Sequence, residues 1–174
     1  MSTPSLLRDN SEVRMKAILL AGLAILSLAG CTSKPTALPV NQQAALTGTL
    51  PYNPLQWKVI TSWLNRRDST MSTLYGNDIA VRYARTNDDH NYPVGAVLSL
   101  VTWAQRDDPH WFGAKIPAHV NSVEFLTIPA SANQPAYLYE NYQGAPLKKT
   151  DLSDTNAVNA RIDHLLSQRA AVMP

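Results

Sequence analysis

Asp107-Asp108-Pro109-His110-Trp111-Phe112-Gly113 gathers two carboxylates, an imidazole and two large aromatic rings within one short stretch. In such a set Asp107 or Asp108 can act as base or orienting group, His110 as acid, base or ligand, and Trp111 with Phe112 as an aromatic wall. A plainer reading lets Pro109 turn the chain, sends Trp111 and Phe112 into the edge of the core, and leaves both carboxylates in water. Asp107, Asp108, His110 and Trp111 are therefore the candidate ligand-binding residues. The remaining histidines, His90, His119 and His164, lie far from each other and from His110 in sequence, with no pair at the i, i+4 spacing of a helical zinc site. No metal site is expected. The chain also lacks a Gly-x-Gly-x-x-Gly turn, a phosphate-binding loop and a Gly-x-Ser-x-Gly elbow, so no catalytic residue is assigned.

The only cysteine, Cys31, closes an apolar run that begins after Lys16 and ends in Leu28-Ala29-Gly30-Cys31. One basic residue, an uncharged apolar run and small residues before a cysteine form the three-part layout of a secretory signal. The run is short for a membrane span, which needs roughly 20 apolar residues. Its last four residues resemble the lipobox of bacterial lipoproteins, in which the cysteine is acylated and becomes the mature N-terminus. Met15, directly before Lys16, is the more natural start for such a signal. Two or three acyl chains would anchor the protein stably, because each buried methylene contributes about 0.8 kcal/mol. Thr32 after the cysteine, where an aspartate is absent, resembles lipoproteins sent on to the outer membrane, so the expected location is the cell envelope, lipid-anchored and facing the periplasm.

From Cys31 onward the chain carries 12 Lys or Arg and 11 Asp or Glu. That balance gives no electrostatic case for nucleic acid. With its one thiol committed to lipid, the protein must be stabilised by packing instead of disulfides. Residues 1–30 are thus read as leader and signal, residues 31–52, rich in Thr, Ala, Pro and Gln, as lipidated cysteine and flexible tether, and residues 53–174 as one domain.

Within that domain Asn53-Pro54-Leu55-Gln56 carries helix-start signals, and Trp57, Ile60 and Trp63 recur at helical spacing, which predicts a helix ending near Asn65. Thr70 to Tyr75 reads as a strand stopped by Gly76-Asn77. Residues Asp78 to Arg85 fit either a hairpin strand, through Ile79, Val81 and Tyr83, or a helix capped by Asn77; the helix is preferred. Ala96 to Trp103 is apolar at nearly every position, as expected of a central strand covered on both faces. Ser122 to Ile128 and Ala136 to Tyr142 are further strands, and Asp154 caps a closing helix with Val158, Ile162 and Leu165 or Leu166 on its buried face. The expected class is α+β, a mostly antiparallel sheet flanked by helices.

The segments Tyr75-Gly76-Asn77-Asp78-Ile79-Ala80 and Tyr92-Pro93-Val94-Gly95-Ala96-Val97-Leu98, followed by Trp103, resemble the cytochrome P-460 family. The resemblance covers roughly Thr70 to Ile128 and implies an antiparallel sheet with packed helices, often as a homodimer. It also implies a haem attached through Cys-x-x-Cys-His near the C-terminus, oxidising small nitrogen compounds such as hydroxylamine. Here Ala160-Arg161-Ile162-Asp163-His164 keeps only the histidine. The expectation is therefore a non-catalytic envelope lipoprotein that binds a small ligand or partner, with no cofactor. The alternative is a redox enzyme with non-covalent haem ligated by His164 or His110. A third reading is an envelope assembly factor that uses its Trp and Tyr residues as contact anchors.

Overall fold

β-Branched and aromatic residues crowd Lys58–Asn65, and this segment is strand β1, not the expected helix. The computed structural model describes residues 41–130 and 136–171, so the signal segment, Cys31 and the first part of the tether lie outside the described residues. The helix-start signals at Asn53 are real but spent on one 3-10 turn, Pro54–Gln56, in which the Asn53 side chain accepts from the Leu55 amide at 3.2 Å. The helical spacing of Ile60 and Trp63 has a different cause. A bulge between Val59 and Thr61 places an extra residue in β1, so both side chains reach the same core despite their odd separation. The Ile60 carbonyl accepts from the Ala171 amide at 2.8 Å.

β2 (Thr70–Gly76) follows, then α1 (Asp78–Thr86), whose first turn is closed by Asn77 Oδ1 accepting from the Ala80 amide at 2.9 Å. β3 (Val97–Asp107), β4 (Lys115–Thr127), β5 (Leu138–Gln143), β6 (Lys148–Thr150) and α2 (Thr155–Leu166) complete the order. All six strands form one antiparallel sheet in sequence order β1-β2-β3-β4-β5-β6. The class is α+β, with β3 and β4 in the interior of the sheet as their apolar character requires.

Both helices pack on the same face. Ala80 and Val81 of α1 and Ile162, Leu165 and Leu166 of α2 join Leu74, Leu98, Leu100 and Leu126 in one core. The other face carries Val101, Trp103, Val123, Phe125 and Tyr142, with no α-helix over it among the described residues. It is covered by residues 41–57. Ala44, Leu46, Leu50 and Trp57 pack on it, Trp103 Nε1 donates to the Ala44 carbonyl at 2.9 Å, and the Leu147 amide donates to the Thr47 carbonyl at 2.7 Å. The expected tether is therefore ordered from residue 41, because its apolar residues shield a sheet face that would otherwise meet water.

Gly76 marks the closest approach of β2 to α1. A Cβ there would stand 2.8 Å from Ile60 Cδ1 and 2.9 Å from Ala80 Cβ. Gly76→Ala is expected to lower stability by about 1–3 kcal/mol through overpacking. Urea unfolding measures it, and a midpoint unchanged from the parent chain refutes this tight packing.

Candidate functional site

Strand alternation puts Ser122, Glu124 and Leu126 on the helix side of β4, and the register sets Gln143, Asn141 and Tyr139 opposite them on β5. Glu124 is only 4 % exposed, between Val123 and Phe125 in sequence. A carboxylate taken out of water persists only when it is paired and hydrogen-bonded. Arg161 Nε donates to Glu124 Oε2 at 3.0 Å, Arg161 Nη2 donates to Oε1 at 2.5 Å, and the Tyr139 hydroxyl donates to Oε2 at 2.6 Å. The two-pronged guanidinium contact suits arginine and is beyond lysine.

α2 delivers Arg161 because its start is fixed. The Asp154 side chain accepts from the Asn156 and Ala157 amides at 2.9 and 3.2 Å, which sets the phase that turns Ile162, Leu165 and Leu166 into the core. The fully buried contacts of α2 fall in its second half. Beside its first half lies a cavity of about 240 Å³, lined by Ser122, Glu124, Tyr139, Asn141, Gln143 and Arg161, with Leu152, Ala157 and Val158 as its apolar wall. Asn141 is 7 % exposed, and its Oδ1 is enclosed with no hydrogen-bond partner. A larger hollow of about 760 Å³ lies between the end of α1 and residues 169–171, but its walls hold no enclosed polar atom lacking a partner.

Electrostatics keep Tyr139 and Arg161 in their protonated forms. Burial, then the hydrogen bond and charge of Glu124, raise the Tyr139 phenol far above its ordinary value, so it stays a donor. Burial opposes the Arg161 charge, yet Glu124 outweighs it and the guanidinium pKa is raised. The cluster is net neutral, and its charged members are these two residues.

The residues singled out in the sequence fall elsewhere. Asp107 ends β3 and pairs with Lys115. Asp108 Oδ1 accepts from the His110 amide at 2.8 Å and shapes the tip of the β3–β4 hairpin. Trp111 and Phe112 are 73 % and 109 % exposed, so they do not plug the core edge, and none of the four candidates lines the hollow beneath the hairpin. The structure brings these residues into one loop without converging their side chains on a cavity. His164 sits in the last turn of α2, with its ring edge-on to Trp63 at 5.9 Å. Sequence reasoning missed Glu124 and Arg161. The available signal was a carboxylate inside the apolar run Val123-Glu124-Phe125-Leu126, and an arginine one residue before Ile162 on the helix face that turns inward.

The family model Cytochrome P460 matches residues 52–159, more than half of the 174-residue chain. No curated protein matches it. A cytochrome is a haem protein, so the match points to a haem-linked or redox role for the family domain. The residues here do not fit covalent attachment. Cys31 is the one cysteine, Ala160 and Asp163 are exposed on α2, and the cavity beside α2 has neither histidine nor cysteine in its wall. Its volume is also below the roughly 300–1,000 Å³ usual for ligand pockets of drug-sized molecules.

Burial, and then the nearby Arg161 charge, lower the His164 pKa, with Glu124 partly opposing them. The folded chain thus disfavours His164 protonation, the unfolded chain binds more protons just below pH 6.5, and the His164 contribution to stability falls as pH drops through that window. NMR titration of His164 is expected to give a midpoint below 6.5, moving upward in Arg161→Met. The same variant leaves Glu124 enclosed and unpaired, and is expected to cost about 2–4 kcal/mol at neutral pH, discounted from the fully buried case because Arg161 is partly exposed. A midpoint at or above 6.5 in the parent chain refutes the first expectation, and unchanged stability the second.

Proposed function

Because the chain belongs to the cytochrome P460 family, we propose that it is an envelope lipoprotein whose family domain has given up covalent haem and binds a small ligand beside α2. One observation carries this reading: a recess of about 240 Å³ beside α2 is lined by polar side chains of β4 and β5, Ser122, Asn141 and Gln143 among them, around the paired Glu124 and Arg161. Cys31 would carry the lipid and hold the domain at the outer membrane on the periplasmic side, supported by the sequence Leu28-Ala29-Gly30-Cys31. Pairing with a second copy is supported by the family resemblance and by β1, which stands at the end of the strand order.

The second reading is a redox enzyme that uses non-covalent haem, favoured by family membership. Its axial ligand would be His164 or His110, both exposed. The two readings separate in an absorption spectrum of the full chain after haem addition. No Soret band is expected; a stoichiometric band abolished by His164→Ala or His110→Ala overturns the ligand-binding reading. For the anchor, Cys31→Ser is expected to move the protein from the membrane fraction to the soluble fraction of expressing cells. A variant that stays with membranes refutes lipidation at Cys31.

A further inference from the structure

Trp111 and Phe112 are the two most exposed large apolar side chains among the described residues, and they are adjacent. They also stand at the end of an arm. β2 pairs with β3 no further than Ala104, and β5 pairs with β4 no further than Ser122. Past those rows β3 and β4 pair as strands only with each other, out to Asp107 and Lys115. Their connection is a built turn, in which the Asp108 amide donates to the Ala114 carbonyl and the Ala114 amide to the Trp111 carbonyl, both at 3.0 Å. Two rings displayed at a hydrogen-bonded tip do nothing for the core and expose apolar surface to water.

The start of the ordered strap indicates what covers them. Asn41 donates a side-chain N–H to the Pro117 carbonyl at 2.6 Å, and Pro117 lies five residues from Phe112. At about 3.4 Å per residue, Phe112 is at most about 17 Å from that contact. The ten residue steps from Cys31 to Asn41 can span up to about 35 Å. A bilayer holding Cys31 is thus within reach of the hairpin tip. The exposed Arg66 and the Lys115 side chain, which line the hollow beneath the hairpin with Leu64, add cations of the kind that meet lipid phosphates.

We propose that Trp111 and Phe112 insert into the headgroup–acyl boundary of the bilayer that carries the Cys31 lipid, making the β3–β4 tip a second membrane contact; this step rests on the lipoprotein reading above. Tryptophan suits that depth because its ring is apolar and its N–H remains free to meet polar headgroups. Two rings bind a bilayer weakly by themselves, but a tethered tip meets it at high effective concentration. A domain held at two points is restricted in its tilt over the membrane, whereas one held by a single tether is not.

The test takes the full chain as isolated from membranes of expressing cells and reconstitutes it in phosphatidylcholine vesicles, with or without bromine on the acyl chains near the headgroup. Bromine quenches only tryptophan that enters the bilayer, and Trp57, Trp63 and Trp103 pack within the domain. Brominated lipid is expected to quench part of the emission, with that part lost in Trp111→Phe and reduced in Phe112→Ser. Phe112→Ser is also expected to leave the thermal midpoint unchanged, since its ring packs on nothing in the fold. An acylated, vesicle-bound chain that brominated lipid does not quench at Trp111 overturns the tip contact and leaves the lipid anchor standing. A chain whose mass shows no acyl group at Cys31 overturns the lipoprotein reading and this inference with it. Quenching that needs anionic lipid shows attraction by charge, and overturns insertion by the rings. A dimer that Phe112→Ser dissociates, with no quenching at Trp111, makes a second copy the occupant and overturns the membrane contact.

Discussion

Glu124 holds a charge in the middle of a sheet, between Leu100 on β3 and Asn141 on β5, and much of the surrounding architecture follows from keeping that charge paired. The partner has to arrive from outside the sheet, so α2 must lie over β4 and β5 with Arg161 turned inward. Such a pair adds little net stability against an apolar substitute, because desolvation offsets most of the attraction. What it adds is specification. A slip of β4 by one residue would send Glu124 to the face of Val123 and Phe125, among Leu46, Leu50 and Trp57 and away from Arg161. The register, the phase of α2 and the position of the recess are therefore one solution and not three.

The sheet's second face imposes the complementary constraint. A six-stranded antiparallel sheet with both helices on one side leaves Val101, Trp103, Phe125 and Tyr142 to be covered by something else. Residues 41–57 do this with few apolar side chains and several backbone contacts, including the carbonyls of Ala44 and Thr47. Gly48 permits it. Its φ of +124° and a Cβ position 2.4 Å from the Leu147 carbonyl oxygen leave room for no side chain where the strap bridges to Leu147. A low-charge, proline-bearing composition thus encodes an ordered cover in its second part, not only a spacer.

Much of the fold was legible from local rules. Asn77 and Asp154 are good N-caps and begin α1 and α2 where the sequence placed them. The continuous apolar run from Ala96 to Trp103 is a strand buried on both faces, as such runs require. β1 was illegible because a bulge at Ile60 shifts the side-chain alternation, and a shifted strand period is easily mistaken for a helical one. β6 was missed because three residues, Lys148–Thr150, carry too little pattern. The site was illegible for a different reason. Its carboxylate and guanidinium are 37 residues apart and meet only through tertiary structure, whereas the Asp107–Gly113 cluster is dense in sequence but splayed at a hairpin tip. Density along the chain is a property of loops, and convergence is a property of the fold.

The same helix carries the residues that bear on how haem could be held. Covalent haem needs thiols; on α2 this chain shows Ala160 and Asp163 to solvent and turns His164 against Trp63. Arg161, in the midst of those positions, points the other way and is committed to Glu124. Once the guanidinium is so committed, α2 is tied to β4 by charge and to the core by Ile162, Leu165 and Leu166, and it needs no cofactor to hold it in place. Because folds constrain function weakly and sites constrain it strongly, what this domain does has to be argued from its own residues on α2, β4 and β5 as well as from the family it belongs to.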